Sequence, residues 1–211
     1  EVEWGETEYT YDGTNQIGKV QPVYYILNDR GQSAVPLALS DTKEFRAAGV
    51  YSFTAVFAKG DNANQNYVLK TSGENSHTQL FIMHQREVNI AISDASMQYG
   101  DATPAASTEQ SVWWNYADDN AYTLVEGDQI VITVSAMTAA QGGQAVTSQT
   151  NAGEYFLVAV ASSKKDVLGN YVITFTGSRG ENGQFTVKKR AITVNIGDVS
   201  SDYGNAQSAL A

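Results

Sequence analysis

The residues whose type best suits ligand contact are Trp113-Trp114, followed closely by Tyr116 and Tyr122. Neighbouring side chains on a strand point to opposite faces. If this segment is extended, one Trp enters a core and the other faces out. An outward indole beside tyrosines suits stacking on a sugar ring, or sealing a joint between domains. Lys70 sits in a predicted strand, Tyr67–Thr71, where a buried lysine beside Asn and an acid would permit a covalent Lys–Asn crosslink. The equivalent residue in the second repeat, described below, is Thr174, which cannot form one.

Metal and acid–base chemistry have weaker support. His77 falls in a predicted turn and His84 at a strand end, with no second ligand at supportable spacing. Carboxylates gather at Asp118-Asp119 and at Glu126 and Asp128, and Asp61–Asn66 is rich in oxygen ligands with one charge. None of these forms a shaped calcium loop, so they read as solvated loops. The sequence contains no Gly-x-Ser-x-Gly, His-Glu-x-x-His, Gly-x-Gly-x-x-Gly or phosphate-loop pattern. Repeated modules of this size offer no large cleft for a pair of glycosidase carboxylates. The expectation is a non-enzymatic protein with no metal and no cofactor.

Composition narrows the class further. The 211 residues are 42% hydrophobic and 10% aromatic, enough for one large core or two smaller ones. Net charge is −10, and the only basic clusters are Lys164-Lys165 and Lys188-Lys189-Arg190. Nucleic-acid affinity rests on basic residues that neutralise phosphates, so that partner is excluded. There is no cysteine, which removes disulfide, thiolate and cysteine-nucleophile chemistry together. No apolar run reaches 18 residues, so no membrane insertion is expected from this segment.

The elements that must position these residues come in duplicate. Shifting the chain on itself by 104 residues aligns 48–107 with 152–211 without a gap, and 18 of those 60 positions are identical. Ala48-Gly49-Val50-Tyr51 meets Ala152-Gly153-Glu154-Tyr155, and Asn66-Tyr67-Val68 meets Asn170-Tyr171-Val172. Upstream, Tyr11-Asp12-Gly13 lies 88 residues before Tyr99-Gly100-Asp101. The second copy carries 16 extra residues between Pro104 and Thr150. The reading is a module over 1–86, a second over 87–190, and the opening strand of a third in 191–211. Phe81–Met83 and Val88–Ile92 are strands about five residues apart, with no Pro, Gly or Ser linker at Gln85–Glu87.

Period-2 alternation marks strands at Val88–Ile92, Ile192–Ile196, Tyr51–Phe57 and Tyr171–Phe175, with others at Val20–Leu27, Leu80–Met83, Ile130–Ser135, Tyr155–Ala161 and Phe185–Lys188. Gly180-Glu181-Asn182-Gly183 reads as a hairpin turn. Tyr51, Tyr155, Tyr67 and Tyr171 are expected to bury their rings. Ala-Gly-x-Tyr entering a strand in both copies is similar to the tyrosine corner of immunoglobulin-like sandwiches. The fold class is therefore all-β, with two tandem immunoglobulin-like β-sandwich modules. A mixed-sheet, β-grasp-like module is the alternative.

Five spaced motifs carry a family resemblance: Tyr99-Gly100-Asp101-Ala102-Thr103-Pro104, Leu124-Val125-Glu126-Gly127-Asp128, Asn151-Ala152-Gly153-Glu154-Tyr155, Gly169–Phe175 and Phe185-Thr186-Val187. In this order they resemble the YGX-type MBG repeats of large bacterial surface proteins. Tyr203-Gly204-Asn205-Ala206 would open the next copy. Module 1 is a more distant relative, with Tyr-Asp-Gly for Tyr-Gly-Asp and no Leu-x-x-Gly-Asp stretch. The resemblance implies a tandem structural or adhesion module of an exported protein on the bacterial cell surface, acting as a stalk or spacer. The implied partners are neighbouring modules of the same chain, with a host or cell-wall glycan or protein as a further candidate. A carbohydrate-binding module using Trp113 and Trp114 is the alternative function.

Overall fold

The computed structural model describes residues 1–28, 31–60, 65–198 and 203. The chain is all-β: strands dominate, and among the described residues no helix reaches seven residues. The strands among the described residues are β1 (Glu8–Thr10), β2 (Val23–Asn28), β3 (Gly31–Pro36), β4 (Ala38–Leu39), β5 (Gly49–Val56), β6 (Thr78–His84), β7 (Arg86–Ile92), β8 (Ala95–Gln98), β9 (Trp114–Tyr116), β10 (Ile130–Met137), β11 (Gly153–Ser163), β12 (Tyr171–Gly177) and β13 (Gly183–Lys188).

The sequence repeat is written into the sheets. The N-terminal half holds a sheet ordered β1-β6-β5-β4, and the C-terminal half one ordered β8-β13-β11-β10. In each, the two central strands are antiparallel, and the short strand on one edge runs parallel to its neighbour. Tyr51↔Phe81 in one sheet matches Tyr155↔Phe185 in the other, each shifted by the same 104 residues. The C-terminal half adds a sheet ordered β12-β7-β9, with β12 parallel to β7. The N-terminal half has the β2–β3 hairpin and a bridge from Glu3 to Val23.

Alternation explains which faces are inside. Val88, Ile90 and Ile92 of β7 are buried, as are Ile132, Val134 and Ala136 of β10 and Phe185 and Val187 of β13. The N-terminal core is aromatic. Phe45, fully buried in a loop, meets the rings of Tyr51, Phe53 and Phe81 edge-on at 4.8, 5.6 and 6.0 Å. Burying each such side chain contributes roughly 1.5–3 kcal/mol. The two C-terminal sheets close tightly where β13 begins. A Cβ on Gly183 would lie 2.7 Å from Cγ2 of Ile92, so only glycine fits there.

Several expectations need correction. Tyr67–Thr71 is not a strand, and Tyr67 is 57% exposed rather than buried. Gly180–Gly183 closes a tight turn with bridges Gly177↔Gly180 and Arg179↔Asn182, but β12 and β13 belong to different sheets, so it is a crossover and not a hairpin. Residues 191–198 form no strand, and Ile192, Val194 and Ile196 are exposed. Of Tyr203–Ala206, all but Tyr203 lie outside the described residues, as does most of Asp61–Asn66. Among the described strands, β7 pairs with β12 and β9.

Candidate functional site

The most chemically distinctive place in the molecule lies where the two halves meet. Only Gln85 separates β6 from β7. On the C-terminal side, Glu126–Asp128 forms a 3-10 turn ended by Gln129 in the left-handed conformation, at φ 54°. The amide of Asp128 donates to the carbonyl of Val125 at 3.0 Å, and the Ser163 hydroxyl donates to the Asp128 carbonyl at 3.0 Å. Lys165 Nζ donates to the Gly127 carbonyl. The turn is thus held from both ends and presents the Asp128 side chain inward, 7% exposed.

Two tyrosines from opposite halves meet that carboxylate. The Tyr11 hydroxyl donates to Asp128 Oδ1 and Oδ2 at 3.0 and 2.9 Å, and the Tyr171 hydroxyl donates to Oδ2 at 2.5 Å. Tyr171 in turn accepts the amide of Val125 at 3.1 Å. The two rings pack edge-on with centroids 5.5 Å apart, and both are buried. Burial, then the bond to Asp128, then its charge push the Tyr11 phenol up to about 12. Burial and the same carboxylate also raise Tyr171. Ionising either phenol would place a second negative charge beside the first in a dry site.

Backbone contacts extend the junction. The Ala48 amide donates to Asn170 Oδ1 at 2.8 Å, and Gln85 Nε2 donates to the Gly169 carbonyl at 2.9 Å. Arg86 bridges both sides, with Nη1 on the Tyr11 carbonyl at 3.1 Å and Nε on the Thr123 carbonyl at 2.6 Å. Its guanidinium lies over the Tyr122 ring, 4.7 Å from the centroid. Gly13 has φ +81°, and a Cβ there would sit 2.7 Å from Cγ1 of Val125. Both the backbone and the space call for glycine.

The four aromatic candidates do not form one open face. Trp114 is buried and meets Tyr116 edge-on at 5.9 Å, and its Nε1 has no hydrogen-bond partner among the described residues. Trp113 is half-buried against Phe185, with centroids 6.2 Å apart. The Tyr116 hydroxyl accepts the amide of Leu124 at 3.3 Å, and Tyr122 lies under Arg86. Tyr116 and Tyr122 therefore contact the ends of the junction loop. Asp128 was expected in a solvated loop and is instead the buried centre of the junction. The carboxylate cluster does not form: Asp118 and Asp119 remain on a surface turn. His84 pairs with Glu8 at 2.9 Å, and His77 Nδ1 lies 2.9 Å from the Lys70 carbonyl. Lys70 makes an exposed ion pair with Glu1. Among the described residues no three His, Cys, Asp or Glu side chains converge as metal ligands.

Tyr51 and Tyr155 each bond back to the preceding segment. The Tyr51 hydroxyl donates to the Ala47 carbonyl and that of Tyr155 to the Asn151 carbonyl, each at 2.8 Å and each four residues back. Their rings are half-buried against the core.

Compared with known proteins, the chain matches no family model, no curated protein and no solved structure.

Proposed function

We propose that this chain is a non-enzymatic structural repeat segment of an exported bacterial cell-surface protein, a stalk or spacer that holds adjacent units in fixed relation. The single observation that carries the reading is the junction. A repeated sheet order on both sides is joined by one residue, and a carboxylate is buried between a tyrosine of each half. A flexible linker would leave such groups in water, because burying a charge is costly unless it is fully hydrogen-bonded. The resemblance to YGX-type MBG repeats supports the cell-surface setting and an adhesion role. The paired tyrosine hydroxyl-to-carbonyl bonds and the two sheets in the C-terminal half support immunoglobulin-like modules.

The test is backbone relaxation by NMR across the whole chain. Residues 1–84 and 86–188 should report one common rotational correlation time. Two separate values, each suited to a unit of half the mass, would overturn the spacer reading.

A further inference from the structure

We infer that the Tyr99–Arg190 edge is a second copy of the junction's donor side, built to receive a further unit bearing a buried aspartate like Asp128. The inference rests on the spacer reading above and extends it to a specific partner.

The donor side of the observed junction has three parts. The Tyr11 amide donates to the His84 carbonyl at 3.0 Å, Arg86 holds the Tyr11 carbonyl, and the Tyr11 phenol projects onto Asp128. The other end of the C-terminal half reproduces the first two at equivalent positions. The Tyr99 amide donates to the Lys188 carbonyl at 2.8 Å, and Arg190 Nε donates to the Tyr99 carbonyl at 2.7 Å. Arg190 also pairs with Asp101. The third part lacks its partner: Tyr99 is 39% exposed, where Tyr11 is 2% exposed.

A second observation points to the same occupant. Ile192, Val194 and Ile196 are the 104-residue counterparts of Val88, Ile90 and Ile92 in β7. The β7 residues are 5% exposed or less, whereas their counterparts are 75–90% exposed. In the observed junction, β7 follows the donor edge directly and enters the unit that supplies Asp128. The exposed apolar stripe after Arg190 stands in that same relation to Tyr99. The occupant is therefore a covalently following unit of the Leu-x-x-Gly-Asp type, not a second molecule of this chain, whose Asp128 is already taken by Tyr11.

The test lengthens the whole protein by joining Lys189 to the Arg86 of a second copy of residues 86–211. Three variants follow: Tyr99→Phe, Tyr11→Phe, and Asp128→Asn in the added copy alone. The inference predicts that Tyr99→Phe lowers the unfolding midpoint of the lengthened protein as much as Tyr11→Phe does. In the original chain Tyr99→Phe should cost less than half of that. Asp128→Asn in the added copy should abolish most of the Tyr99→Phe effect, since the two act through one bond. NMR relaxation should give the added unit the correlation time of the others. If Tyr99→Phe is silent in the lengthened protein while Tyr11→Phe is not, or if the added copy stays unfolded on an intact chain, this inference fails and the spacer reading stands. If both substitutions are silent and every unit tumbles alone, both fail.

Discussion

Tyr11→Phe removes one hydroxyl from the junction and leaves the ring, so it isolates the bond from the packing. That hydroxyl spans both oxygens of a buried carboxylate. A hydrogen bond to a charged group contributes about 1.5–3 kcal/mol, roughly twice a neutral one. Asp128 keeps its bond from Tyr171 at 2.5 Å, so the charge is not orphaned and the larger penalty is avoided. The expected loss is therefore about 1.5–3 kcal/mol. For a protein of this size that lowers Tm by about 3–12 °C. Urea unfolding followed by circular dichroism, with calorimetry alongside, reads both. Tyr171→Phe should cost more, because the Val125 amide loses its acceptor as well. The double variant should cost more than the sum, because it leaves the carboxylate with neither phenol. The control is Tyr155→Phe, whose exposed hydroxyl bonds a backbone carbonyl and should cost at most about 1 kcal/mol. If Tyr11→Phe falls within about 0.5 kcal/mol of the parent, the range of an ordinary surface substitution, the junction does not hold the halves together.

Three further outcomes are expected. Both junction phenols are raised above the ordinary value of 10, so the neutral form is the folded one. Tyr11's stabilisation is complete below about pH 10 and is lost toward pH 12, at up to about 1.4 kcal/mol per pH unit, and Tyr171's is lost in the same direction as pH rises. Urea midpoints between pH 9 and 12 should fall, less steeply in Tyr11→Phe, and a flat profile would refute the buried pair. Gly13→Ala should destabilise by at least about 1–2 kcal/mol from the positive φ alone, with the clash against Val125 added, and a neutral result by thermal melting would show that the loop has moved. Tyr67→Ala should cost well under half of Tyr171→Ala in the same melting assay, because Tyr67 is exposed and its counterpart is not.

The strands and the doubled architecture were legible because alternation and repetition are local properties of the sequence. Val88–Ile92, Ile130–Ser135 and Phe185–Lys188 alternate against a single core, and all three are strands in the structure. The edge strands β1 and β8 were not legible. They are three and four residues long, and what makes them strands is a parallel neighbour about 75 to 90 residues away in the chain. The same blindness to distance produced the hairpin error at Gly180–Gly183. Turn chemistry specifies a reversal, but not whether the two strands it joins remain in one sheet.

The site was less legible still, and the case of Tyr67 shows why. Tyr67 and Tyr171 are identical residues in aligned motifs, yet one is exposed and the other buried. The difference lies in what each can bond. Tyr171 has Asp128, carried by the Leu-x-x-Gly-Asp turn, and the first copy has no such stretch to serve Tyr67. A phenol in a core must place its hydroxyl against a partner, and without one the ring is better in water. The repeat therefore could not predict burial by itself. The informative signal was the asymmetry: an acidic turn present in one copy only, alongside a tyrosine at the start of each. That turn makes one half the donor and the other the acceptor, with the Tyr11 hydroxyl donating to Asp128.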